Sequence, residues 1–264
     1  MRIIDTHAHI FPEKIAQKAV ESISAFYGGT PMRHAGTAEA LLASGEAAGI
    51  EKYLVFSTAT KAEQVEAINN FILEACAAHP QFIGLGTMHP GYAHFEEELA
   101  RIRARGIKGI KLHPDFQQFN LDDARMEPVF DALVQNGMFL LTHSGDYRYD
   151  FSHPGRIAKV AHKFPQLRII AAHCGGWQRW EEARAYLRLP NIYVDTSSTI
   201  PFAGGQAVLE AVDAFGSDHV FFGTDFPMFD HKESLEALLE LGLPERELEN
   251  ILYYNFAAFY GSLK

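Results

Sequence analysis

Short apolar runs alternate along this chain with longer stretches in which apolar side chains return every three or four positions. The first kind reads as a strand and the second as an amphipathic helix. Strands are expected at the run ending in Asp5-Thr6-His7-Ala8-His9, and over residues 52–57, 82–88, 107–113, 138–143, 168–173, 192–196 and 219–224. Helices are expected over 62–78, 95–105, 126–135, 154–163, 180–188, 207–215 and 235–239; Val65, Ile68, Ile72 and Leu73 mark one apolar stripe. Eight strands alternating with helices imply parallel pairing through right-handed crossovers. At this length they suit an α/β fold of the closed (β/α)8 barrel type, one domain over residues 1–264. A doubly wound sheet is the alternative, but no glycine-rich dinucleotide turn follows the first strand.

Two segments depart from the repeat. After His9 the pattern predicts a helix over 13–26, a loop at Tyr27-Gly28-Gly29-Thr30-Pro31, and a second helix over 38–48. That excursion is long for a strand-to-helix connection and suits a lid over the barrel mouth. Residues 244–263 read as an extra C-terminal helix, whose Ile251, Leu252, Phe256 and Phe259 are expected to pack on the outside of the barrel.

Composition narrows the partners. Of 264 residues, 47% are hydrophobic and 21% charged, and the formal net charge is −10. An acidic chain without a basic cluster does not suit nucleic acid or an anionic membrane. The partner expected is a small molecule, with a homodimer through the helical ring or lid left open. Two cysteines and the absence of a leader-like start suit a reducing, cytoplasmic setting.

Barrel enzymes carry their chemistry at the C-terminal ends of the strands. Here those ends hold His7 and His9, Thr87 and His89, Lys111 and His113, His143, His173, Asp195 and Asp225. Six of 13 histidines on one rim are more than chance burial would align, and they point to a metal. His7, His9, His143 and Asp225 make an imidazole–carboxylate set for one divalent ion: Zn²⁺ first, with Mn²⁺, Fe²⁺ or Co²⁺ as alternatives. Such an ion lowers the pKa of bound water towards about 7. His173 and the free oxygen of Asp225 are the candidates to take that water's proton.

These segments resemble the amidohydrolase superfamily, and within it the amidohydrolase-2 branch of aminocarboxymuconate-semialdehyde decarboxylase-like proteins. The matching pieces are Asp5-Thr6-His7-Ala8-His9, Gly109-Ile110-Lys111-Leu112-His113-Pro114, Leu141-Thr142-His143, Ala172-His173-Cys174-Gly175-Gly176-Trp177 and Phe222-Gly223-Thr224-Asp225-Phe226-Pro227. The ending Asn250-Ile251-Leu252-Tyr253-Tyr254-Asn255 is similar too. The resemblance implies that His7, His9, His143 and Asp225 are ligands and that His173 orients or deprotonates the water. It implies a metal-dependent hydrolase of an amide, lactone or ester, or a non-oxidative carboxy-lyase using the same metal. A catalytically inactive barrel used for binding is the third option.

The remaining rim residues have open roles. Lys111 binds a substrate carboxylate or pairs with a nearby Asp. His113 touches substrate or caps the rim. Arg148 forms a bidentate pair with a substrate carboxylate, or is neutralised by Asp146 and Asp150. Trp177 walls the pocket or packs the next helix. Asp5, taken as one layer below the two histidines, orients one of them or pairs with a buried cation; Asp195 does the same for His173 or merely starts the seventh loop. Arg33 and His34 in the excursion are candidate substrate contacts. Cys174 is expected to face away from His173 and to be structural.

Overall fold

Parallel strands that are apolar on both faces need cover on both, and the chain supplies it with an inner plug and an outer ring of helices. The computed structural model describes residues 1–263. The strands are β1 (Ile4–His9), β2 (Lys52–Phe56), β3 (Phe82–Gly84), β4 (Gly86–Thr87), β5 (Gly109–Leu112), β6 (Phe139–Thr142), β7 (Ile169–Ala171), β8 (Ile192–Asp195) and β9 (Val220–Phe221). All pair in parallel and in chain order, β1-β2-β3 and β4 through β9. The third barrel position is shared by β3 and β4, and Leu85 N–H still donates to Val55 C=O at 2.9 Å. The ring closes between its last and first strands, where Thr6 N–H donates to Phe222 C=O and Asp225 N–H to His7 C=O, both at 2.9 Å. Eight barrel positions result, as the apolar rhythm predicts.

Strand alternation sorts the core into two clusters. Leu54, Phe56, Leu141, Ile170 and Phe221 face inward; Tyr53, Val55, Leu140, Ile169 and Val220 face the helices. Those helices are α1 (Glu13–Phe26), α2 (Ala38–Ala48), α3 (Val65–Ala78), α4 (Phe95–Ala104), α5 (Pro114–Gln117), α6 (Glu127–Gln135), α7 (Pro154–Lys163), α8 (Trp180–Tyr186), α9 (Thr199–Ala203), α10 (Gly205–Phe215), α11 (His231–Leu239), α12 (Glu245–Glu249) and α13 (Asn255–Gly261). One expectation is corrected. Phe256, Phe259 and Leu263 of the C-terminal segment pack with the inward cluster and plug the barrel, while Ile251 and Leu252 join the outer layer. Periodicity marks a residue as buried without saying against which neighbour, and here the helix end turns into the barrel.

A second correction concerns β1. The pairing register of β1 on β2 slips between Asp5 and Ala8: Asp5 lies opposite outward Tyr53, but His9 lies opposite inward Phe56. The slip reverses the alternation. Asp5 therefore points outward to His231 of α11 (3.1 Å), while His7 and His9 point into the barrel mouth. At the closing seam, a Cβ on Gly223 would stand 2.9 Å from the Cβ of His7, so glycine is what lets the strands meet. The excursion forms as expected, with α1 and α2 at the predicted residues. Among the described residues no helix is long and apolar enough to cross a membrane.

Candidate functional site

Alternation along the strands brings the chemistry inward. Lys111 lies between outward Ile110 and Leu112, and Asp195 follows outward Val194, so both face the barrel interior and are fully buried. His7, His9, Lys111, His113, His143, His173 and Asp225 all line one tight cavity at the C-terminal ends of the strands. Ile23, Tyr27 and Met32 roof it, so the excursion covers the mouth. His173 (φ 61°) and Asp225 (φ 66°) adopt left-handed backbone, a conformation that costs of order 1–3 kcal/mol and that the surrounding structure must enforce.

Three potential ligand atoms converge. Asp225 Oδ1 lies 3.5 Å from His7 Nε2 and 3.4 Å from His9 Nε2. Ligands held at about 2.1 Å in a tetrahedron stand about 3.4 Å apart, so this spacing fits a divalent ion. His143 stands outside that trio. Its ring answers to a chain of bonds instead. The backbone carbonyl of Ser197 lies 3.1 Å from His173 Nδ1, which places a proton there; His173 Nε2 then accepts from His143 Nδ1 at 3.0 Å. The His143 Nε2 lone pair is left buried and, among the described residues, without a hydrogen-bond partner. A buried unpaired imidazole nitrogen beside a ready trio is a further sign of fit to a metal. A second cluster, His7, His173 and Asp195, is closed by its own hydrogen bonds.

The supports differ from their expected form. Asp195 Oδ2 accepts from His7 Nδ1 at 2.9 Å, so it orients His7, and its Oδ1 accepts the His173 backbone N–H at 3.0 Å. Asp5 holds backbone, accepting from His7 N–H (2.9 Å) and Thr224 N–H (3.0 Å), which ties β1 to the turn that carries Asp225. Behind it His231 reaches Ser44 Oγ (2.8 Å), which lies 3.1 Å from Asp230. His34 bonds Asp230 (3.0 Å), and Arg33 pairs with Glu233. Both residues thus anchor the excursion to α11 and neither lines the cavity.

Arg148 is likewise engaged. It forms a bidentate pair with Asp146, donates to the Phe26 carbonyl at the end of α1, and stacks 4.6 Å over the Phe26 ring. It latches the lid, while Asp150 pairs with Arg156. Trp177 backs the Tyr27 ring (5.0 Å) without lining the cavity. A Cβ on Gly145 would meet the Trp177 backbone at 2.6 Å, so the loop carrying Arg148 needs glycine there (φ 79°). Lys111 has no carboxylate within ion-pair distance among the described residues; its Nζ lies 3.2 Å from His7 Nε2 and 4.8 Å over the Phe56 ring. Cys174 sits in the outer cluster, its thiol pushed up to about 12 by burial.

Tyr27 carried no signal beyond standing in a predicted loop. Its hydroxyl lies 3.0 Å from His113 Nε2. Because His113 Nδ1 accepts the Phe116 N–H (3.3 Å), Nε2 carries the ring proton and donates to Tyr27, leaving the tyrosine's own proton free for the cavity.

Burial dominates the electrostatics. It lowers His9 and His173 to about 4, and His113 and His143 well below the usual histidine range, so these rings are neutral near pH 7. Burial pulls Lys111 down to about 7, against the opposing pull of Asp195 and Asp225. Burial would raise Asp225, but the hydrogen bond from His9 and the neighbouring imidazoles outweigh it and hold the carboxylate well below its ordinary value. Asp115, bonded to Ser152 Oγ at 2.5 Å, is pushed up to about 7 by burial.

Comparison with known proteins bears on the family and the fold. The amidohydrolase family model matches residues 4–262. An uncharacterised TIM-barrel protein from Bordetella bronchiseptica is 21% identical, with 99% of each chain covered and a TM-score of 0.79. A 5-carboxyvanillate decarboxylase from Novosphingobium aromaticivorans, complexed with manganese and a nitrobenzoic acid, is 18% identical; 98% of this chain and 96% of that one are covered, with a TM-score of 0.76. A protein described as a 2-pyrone-4,6-dicarboxylic acid hydrolase, from Pseudomonas putida, is 18% identical over 100% of this chain and 99% of that one, with a TM-score of 0.73. At these identities the likeness shows a shared barrel fold. The family match spans nearly the whole chain: this protein belongs to the amidohydrolase family.

Proposed function

We propose that this protein is a metal-dependent hydrolase that opens an amide, lactone or ester in a small carboxylate-bearing substrate. The observation that carries the reading is the convergence of His7, His9 and Asp225 on one point at ligand spacing, with the free nitrogen of His143 beside them. These four residues would hold one divalent ion, with zinc as first choice and manganese, which a structural neighbour holds, as second. When bound, the ion supplies Lewis-acid polarisation and acidifies water near neutral pH.

The chain's own groups supply the rest. Lys111, buried and without a carboxylate partner, binds the substrate carboxylate. His173 Nε2 carries no proton and takes one from the attacking water once the His143 Nδ1–H that it accepts turns away, while Ser197 fixes the ring through Nδ1. The Tyr27 hydroxyl, held protonated by burial, donates to the oxygen on which negative charge develops. The roof excludes water and strengthens each of these interactions.

A carboxy-lyase is the second reading. Lys111 favours it equally, because a carboxylate on a ring is the leaving group in that reaction, and structural neighbours include both reaction types. The test is a substrate panel on metal-loaded protein. Lactones, amides and esters are followed by acid release, and hydroxybenzoates by CO₂ release. Hydrolysis that disappears in His7→Ala and Asp225→Asn, with metal content falling in step, is the expected result. CO₂ release without hydrolysis would replace the first reading with the second. Full metal occupancy in both variants would overturn the ligand assignment.

A further inference from the structure

We propose that the groove between α1 and the start of α3 binds an apolar extension of the substrate, a straight acyl chain carried on the carboxylate-bearing head. The proposal deepens the hydrolase reading and depends on it for where the head sits. The free volume of the catalytic cavity is about 20 Å³, room for an ion or a water and far below the ~300–1,000 Å³ of ordinary ligand sites. Next to it runs a groove with a free volume of about 630 Å³. His9, Ile23 and Phe116 line both, so the groove lies directly against the proposed metal site and these three side chains form the wall between them.

The walls are apolar for a reason that packing leaves unexplained. Ala16 and Val20 are the buried residues that hold α1 to the body. Ile15, Ala19, Ile23 and Phe26 form a second stripe at helical spacing, and all four line the groove. Ile15 is 51% exposed. Across the gap stand Ala67, Ile68 and Phe71 of α3. Water therefore faces apolar side chains on both walls, and burying them is what a chain in the groove would gain.

The polar inventory sharpens the ligand. At the end of β2, Ser57 Oγ donates to the Ile10 carbonyl, and at the rim Thr60 Oγ1 bonds Gln64 (3.0 Å). Thr58 Oγ1 is buried and without a partner among the described residues. Lys18 and Ser22, whose hydroxyl donates to the Lys18 carbonyl (2.8 Å), add polar groups on α1, so an occupant needs one hydrogen-bonding group near Thr58 and apolar surface along the Ile15–Phe26 stripe and α3.

The test is an NMR titration of the full chain, with and without Zn²⁺, using acetate, butanoate, hexanoate and octanoate. Each methylene buried tightens binding about two- to fourfold, so octanoate is expected to bind at least tenfold more tightly than butanoate. Ala19→Trp and Ala67→Trp fill the groove from opposite walls. Either variant, shown folded by circular dichroism, should cut the octanoate–butanoate difference to within threefold and leave acetate affinity unchanged. Affinity independent of chain length in the wild type, or a chain-length dependence that both variants retain, overturns the proposal. A groove that instead mediates a dimer, broken by both variants in sedimentation with no chain-length dependence, overturns it too. The acetate affinity and its dependence on Zn²⁺ report separately on the head site. Their failure with the chain-length dependence intact would count against the metal reading and support the groove.

Discussion

Replacing Asp195 with Asn should disable His7 as a ligand without removing an atom from the trio. Asp195 Oδ1 accepts from two backbone N–H groups, His173 at 3.0 Å and Ser197 at 3.1 Å, and from the Ser197 hydroxyl. An amide can satisfy those donors only with its carbonyl oxygen, so the NH₂ must take the other position, 2.9 Å from His7 Nδ1. Two N–H groups cannot face each other there. The imidazole responds by moving its single proton to Nε2, the nitrogen that lies 3.5 Å from Asp225 Oδ1 and is proposed to hold the ion. Loss of such a carboxylate–histidine support typically costs 10- to 100-fold in metal affinity, or about 1.4–2.7 kcal/mol. Competition of the purified protein against a chelating dye measures it, with circular dichroism to confirm the fold. A folded Asp195→Asn variant whose zinc affinity stays within twofold of wild type would refute both the tautomer argument and the assignment of His7.

Four further outcomes are expected. Tyr27→Phe removes the donor that His113 leaves free; kcat should fall about 10- to 100-fold with metal affinity unchanged, measured by steady-state kinetics on whichever panel substrate is turned over. Arg148→Ala breaks the latch between the β6 loop and the end of α1, and deuterium exchange should rise over residues 13–27 with a stability loss of about 1–2 kcal/mol. Phe259→Ala opens a cavity in the barrel plug and should cost about 3–5 kcal/mol in urea denaturation. Metal-stripped protein should lose stability as the pH falls from about 6.5 towards 4. Over that range the unfolded chain protonates histidines that burial keeps neutral in the fold: His9 and His173 down to about 4, His113 and His143 lower still. Asp115 acts in the opposite sense, since the fold keeps its carboxyl protonated up to about 7, but one carboxyl against four histidines leaves the sign unchanged. Denaturant midpoints at pH 6.5, 5.5 and 4.5 give the slope.

What could be read from residue order was the part of the site that period two governs. Lys111, His113 and His143 face the mouth because their apolar neighbours face the helices; His173 and Cys174 take their expected sides only through left-handed backbone past the end of β7, since the count from inward Ile170 would place them the other way round. The rule failed at Asp5, two residues before His7, where the register slip moves a carboxylate from beneath the histidines to the outer layer. Nothing in the types Asp-Thr-His announces that slip. It is set by the partner strands, which must meet β1 at Thr6 and at Asp225 across more than 200 positions of chain.

The same limit explains Arg148 and Tyr27. Local charge counting correctly kept Asp146 in view as a partner for Arg148, yet the bond to the Phe26 carbonyl and the aromatic stack depend on where the lid lands. Tyr27 gains a role only because the end of α1 is brought to His113, 86 positions away. Residues that a regular strand delivers to the rim, such as Lys111 and His143, can be named from alternation. Residues that a lid delivers depend on anchors such as His34–Asp230 and Arg148–Phe26, and specificity is the property that an excursion of this kind is free to vary while the trio beneath it stays the same. The proposed groove follows that division: one wall is the lid helix α1, so changes in the outer stripe of Ile15 and Ala19 should alter which substrates are accepted and leave the metal untouched.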